Sequence, residues 1–125
     1  MGLIKLGDFG LAVQIEHSCS KRSNQCGTLW YSAPEAFDDE TELKSDIWSL
    51  GISLIELAEG KNPYAAYSEK KTIKEICYGN IPSLSSSDWS SEFVSFVKDC
   101  LVRDVEKRKT VNELMKVSDG DDCYE

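Results

Sequence analysis

Histidine is almost missing from this chain. His17 is the only one, so a histidine-rich metal centre is excluded, and a nucleophile–histidine–acid triad has a single possible base. Its neighbours, Glu16 and Ser18, place it in a polar stretch that reads as a surface loop. Cysteine is present five times, at positions 19, 26, 77, 100 and 123, but the count is odd, the spacings are wide and no C-x-x-C occurs. Neither a disulfide framework nor a zinc knuckle is supported. Unpaired thiols point to an intracellular, cytoplasmic setting. Basic excess is also lacking: 14 Lys and Arg stand against 22 Asp and Glu, for a net charge of −8. A nucleic-acid binder would carry the opposite footprint. No apolar run approaches the ~18 residues needed to cross a bilayer, and no signal peptide opens the chain. Met1-Gly2 would suit myristoylation, but position 6 is Leu6 where that motif needs Ser or Thr. No internal repeat is visible.

What is there is an ordinary globular composition. The 125 residues are 41% hydrophobic and 29% charged, enough for one domain with a sizeable core. Near the start, "IKLGDFGLA" (4–12) alternates apolar and polar residues as the end of a short strand and then breaks at Asp8-Phe9-Gly10. A carboxylate at a strand end, followed by a conformationally free glycine, could hold a metal ion over a phosphate. Residues 13–32 include a polar stretch, "EHSCSKRSNQCGT", that reads as an exposed loop.

Four helices are expected, near 44–59, 69–79, 91–101 and 110–116. The first, "KSDIWSLGISLIELAE", carries apolar residues on nearly every side and therefore belongs inside a domain, with Gly60 as its stop. The second turns Ile73 and Ile76 inward. In the third, Phe93, Phe96, Val97, Cys100 and Leu101 form an i, i+3, i+4, i+7, i+8 stripe behind Ser90, a suitable N-cap. Val111, Leu114 and Met115 make the fourth amphipathic. The acidic end, "VSDGDDCYE" (117–125), reads as a frayed tail.

Taken singly, D-F-G and A-P-E (33–35) mean little. Together they have a spacing: 22 residues lie between Gly10 and Ala33, and "GTLWYSAPE" places a Gly-Thr pair just before A-P-E. Eleven positions after Glu35, Asp46 opens D-I-W-S-L-G at the head of the apolar helix, and "CLVRDVEKR" places Arg108 beyond the third helix. In this order the residues resemble a eukaryotic protein kinase, from the strand before D-F-G to near the end of the large lobe. "AEGKNPY" and "KRSNQCGT" look most like the sterile-twenty-like serine/threonine group.

The resemblance implies a mainly α fold: an incomplete large lobe over residues 1–116, with a short N-terminal strand and a long activation loop at 11–32. It implies that Asp8 binds Mg²⁺ bridging the phosphates of ATP, with Phe9 packed beneath it and Gly10 as hinge. Thr28, Leu29 and Trp30 would meet a protein substrate, and Thr28 matches the threonine of kinases that act on serine and threonine. Glu35, Asp46 and Arg108 would be structural. Asp46 would tie its helix to the catalytic loop, and Glu35 would pair with Arg108. Asn24 stands where related loops carry a phosphorylated threonine, which leaves Ser18, Ser20 and Ser23 as the candidate sites for an upstream kinase. Val105 and Lys109 replace the prolines usual around Arg108, and the family's closing His-Pro-Phe is absent.

No G-x-G-x-x-G, V-A-I-K or H-R-D occurs, so no catalytic-loop aspartate is present and the chain reads as starting in mid-domain. Three readings stay open: part of an active serine/threonine kinase, a non-catalytic docking module, or a truncated product that does not fold stably.

Overall fold

The computed structural model describes residues 2–12, 29–38, 40, 42–85 and 87–118. Thr28, Ser18, Ser20, Ser23, Asn24, His17 and the end of the acidic tail lie outside these residues. Among the described residues four α-helices carry the fold: α1 (Ser45–Glu59), α2 (Glu69–Tyr78), α3 (Ser91–Cys100) and α4 (Val111–Ser118). Short 3-10 turns at Phe9–Leu11, Leu29–Tyr31 and Pro34–Asp38 precede them.

α1 is the central post. Ile47, Trp48, Ile52 and Ile55 are buried along one side of it, each burial worth about 1.5–3 kcal/mol. It has no side-chain cap at its start and ends at Gly60, whose φ of 71° lies in the left-handed region that glycine adopts without strain. α3 packs against α1 through Val97, Cys100 and Leu101. The contact is close because Gly51 faces it: a Cβ at this position would lie 2.8 Å from Leu101 Cγ and 2.9 Å from Cys100 Cβ. α4 in turn packs on α3 and adds Leu114 to the core.

Local signals set the helix ends. Ser90 Oγ accepts from Phe93 N at 3.2 Å, and Ser68 Oγ accepts from Lys71 N. Thr110 and Glu113 cap α4 reciprocally: Thr110 N donates to the Glu113 carboxylate at 2.7 Å and Glu113 N donates to Thr110 Oγ1. The end of α2 is finished from a distance. The Arg103 guanidinium donates to the carbonyls of Ile76 (2.9 Å), Gly79 (2.8 Å) and Glu75 (3.3 Å), satisfying acceptors that a helix end otherwise leaves to water.

One expectation is corrected. The N-terminal strand is not formed, and no strand occurs among the described residues. A strand needs a ladder partner for its N–H and C=O groups, and no described residues pair with 2–8. Leu3, Ile4 and Leu6 are accordingly exposed. α1 is buried along one side only: Leu50 and Leu57 face outward, Leu57 with 80% of its surface exposed, because no described element packs on that side.

Candidate functional site

Asp8-Phe9-Gly10 stands apart from the core. Asp8 adopts φ 60°, the only non-glycine residue among those described with a positive φ. Asparagine and aspartate tolerate this region better than most residues. Phe9 is 67% exposed, so no described residue encloses it beneath Asp8. Among the described residues no three potential metal ligands lie together. A magnesium–nucleotide site needs several oxygen ligands, and Asp8 offers one exposed carboxylate. These residues do not form such a site by themselves.

The segment at 29–38 is held differently. Leu29–Tyr31 and Pro34–Asp38 lie against α1 and α2. Glu35 reaches Arg108 across 73 positions of sequence, with Nη1–Oε1 at 2.7 Å and Nη2–Oε2 at 3.0 Å, a two-pronged grip that suits the planar guanidinium. Arg108 is 1% exposed. Its remaining donors go to the carbonyls of Val102 and Lys44, each at 2.8 Å, and of Arg103 at 3.4 Å, and its Cζ lies 5.4 Å from the centroid of the Trp48 ring. Ser45 Oγ donates to the same Glu35 carboxylate at 2.8 Å. Burial pushes the Glu35 carboxyl up, but the Arg108 and Ser45 hydrogen bonds outweigh it and hold the group below the usual carboxylate range.

Tyr31 is fixed twice. Its carbonyl accepts from Ser49 Oγ at 2.7 Å, and its hydroxyl donates to the Glu56 carboxylate. Glu56 also accepts from Asn62 Nδ2 at 2.8 Å, while Asn62 Oδ1 accepts from Tyr64 N at 2.9 Å. The Glu56 hydrogen bond, with some burial, raises the Tyr31 phenol above its ordinary value. Sequence reasoning took in Tyr31 as part of a substrate shelf at 29–32 but did not single out Ser45, Ser49, Glu56 and Asn62. A signal was there to find. Ser45, Ser49, Ser53 and Glu56 recur at spacings of four, four and three, a polar line along an otherwise apolar helix. That line faces the 29–35 segment.

Leu29 is half-buried and Trp30 sits at the surface of its turn. Asp46 is exposed at the head of α1 and is not brought to Glu35 or Arg108. Glu35 and Arg108 thus meet, while Asp8 and Asp46 do not join them. No helix among the described residues is long and apolar enough to cross a membrane.

The profile of the protein kinase domain matches residues 1–118. The chain belongs to that family. It is 40% identical over 117 residues to the serine/threonine-protein kinase hippo of Drosophila melanogaster, covering 92% of this chain and 18% of that protein. It is 39% identical over 121 residues to the serine/threonine-protein kinase dst2 of Dictyostelium discoideum, covering 92% and 10%. Over 115 residues it is 40% identical to the serine/threonine-protein kinase cst-1 of Caenorhabditis elegans, covering 90% and 23%. The chain therefore spans less than a quarter of the length of each of these kinases. Protein kinases as a family use ATP and Mg²⁺.

Proposed function

We propose that this chain forms the substrate-facing part of a serine/threonine protein kinase domain, whose complete form passes the γ-phosphoryl group of ATP to serine or threonine of a protein substrate. Residues 29–32, with Thr28, form the shelf on which the acceptor segment rests. The observation that carries this reading is the double anchoring of residues 29–35. The polar line of α1 holds Tyr31, and the buried Glu35–Arg108 pair holds the A-P-E turn. A rigid shelf suits phosphoryl transfer, in which positioning of the acceptor supplies much of the rate. Asp8 contributes one carboxylate toward magnesium, and the other ligands would come from outside the described residues. Ser18, Ser20 and Ser23 remain the proposed sites for an upstream kinase, and Asp46 is assigned to tethering a catalytic loop.

Taken alone, the chain is expected to transfer no phosphate, since its sequence holds no G-x-G-x-x-G or V-A-I-K to grip a nucleotide and no H-R-D to supply a base. Purified chain incubated with ATP, Mg²⁺ and a serine/threonine peptide should show no turnover above an enzyme-free control. The positive test is a chimera in which residues 2–118 replace the matching segment of the Drosophila hippo kinase. A folded chimera should phosphorylate serine and threonine peptides. Transfer to tyrosine alone, or none from a folded chimera, would overturn the proposal.

A further inference from the structure

Between the end of α1 and the α2–α3 connection lies a cleft of about 410 Å³ lined by Ile55, Glu59, Lys61, Asn62, Pro63 and Ser85 among others. One residue closes it. Ser85 donates twice to the Glu59 carboxylate, through its backbone N–H at 3.0 Å and through its hydroxyl. The acceptor is the last residue of α1, where a negative charge meets the negative end of the helix dipole. The two donors offset that unfavourable placement, so the 81–85 segment is held by hydrogen bonds to a single carboxylate. The segment also carries Leu84, which packs against the core. Ser85 itself is exposed, in an extended stretch with no helix around it, and Asp88 stands exposed three residues on, in "SSSDW".

We propose that Ser85 is a phosphorylation site, taken by a protein kinase that reads an acidic residue three positions downstream, and that the modification unlatches residues 81–85 from α1. In the step, a new bond forms between Ser85 Oγ and the terminal phosphorus of a nucleoside triphosphate. The bond from that phosphorus to the leaving diphosphate breaks, and the hydroxyl proton passes to the base of the modifying kinase. The products are phosphoserine and a nucleoside diphosphate. The O–H donor to Glu59 is then gone, and a group of charge about −2 stands against a carboxylate. Hydrogen bonding turns to repulsion. Lys61, the one cation among the described residues lining the cleft, is the group to which the phosphate turns. Asn62 lines the same cleft and braces Glu56, which holds Tyr31, so release of the segment loosens the support of the shelf.

The test uses the full chain, ATP and a purified acid-directed serine/threonine kinase, with the phosphate located by peptide fragmentation. Phosphate is expected on Ser85, and Asp88→Asn should slow its incorporation at least about tenfold. Phosphate confined to neighbouring serines would overturn the proposal. Hydrogen exchange then reads the latch: amides of residues 83–85 and of Tyr64 should exchange at least about tenfold faster in the phosphorylated chain. Glu59→Gln removes the like charge and offers an amide donor to the phosphate, so its phosphorylated form should stay within about threefold of the unmodified one. Unchanged exchange in phosphorylated wild type, or equal acceleration in Glu59→Gln, would refute the latch.

Discussion

Removing Glu35 should leave the Arg108 guanidinium buried and short of its only anionic partner among the described residues. Arg108 is 1% exposed, its carboxylate partner is nearly as well covered, and both oxygens of that carboxylate are in use. An exposed ion pair contributes at most ~1 kcal/mol, whereas breaking a buried one costs roughly 3–5 kcal/mol because the surviving charge stays out of water. Glu35→Ala should fall in the higher range. Arg108→Ala should cost at least as much, since it also removes the side-chain donor to the carbonyls of Val102 and Lys44. The double variant strands no charge, so its cost should fall well below the sum of the singles. Urea unfolding of the four proteins, extrapolated linearly, gives the comparison. Single costs below ~1 kcal/mol, or a double equal to their sum, would refute the buried-pair argument. The same pair sets a pH dependence. The Glu35 carboxyl is held below its unfolded value, so its contribution is complete above the ordinary carboxylate range and is lost as pH falls through the lowered folded value. Glu35→Gln should flatten that acid limb, and an unchanged limb would count against the assignment.

Three further outcomes are expected. Gly51→Ala places a methyl within 2.8 Å of Leu101 and should cost about 1–3 kcal/mol by overpacking, read as a lower urea midpoint; an unchanged midpoint would mean α1 and α3 are not in this contact. The exposed apolar residues Leu3, Ile4, Leu6, Leu50 and Leu57 should bind a hydrophobic dye or drive self-association, and a monomer that binds no dye would contradict this. Burial pushes the Tyr64 phenol up to about 12, so its share of stability is intact below pH ~10 and is lost as pH rises through the folded value; tyrosinate absorbance should show a late step that Tyr64→Phe removes.

The helices were legible because their causes are local. Ser90 before the Phe93–Leu101 stripe and Gly60 after Glu59 each act within a turn or two, and α2, α3 and α4 fall within two residues of their expected bounds. Glu35 and Arg108 were singled out through the order of motifs, not through any local property of either residue. The strand at Ile4–Leu6 shows the opposite limit: its alternation is real, but a strand exists only with a neighbour to bond, and that neighbour is a tertiary fact. The same holds for Arg103. Its three acceptors are backbone carbonyls, which carry no side-chain signature, so nothing in the sequence marks it as the cap of α2. The Ser45–Ser49–Ser53–Glu56 line lies between these cases. Its spacing is written in the chain, yet only the packed structure decided that Tyr31 and Glu35 would be the groups it faces, because helix periodicity fixes a direction and tertiary folding fixes what stands there.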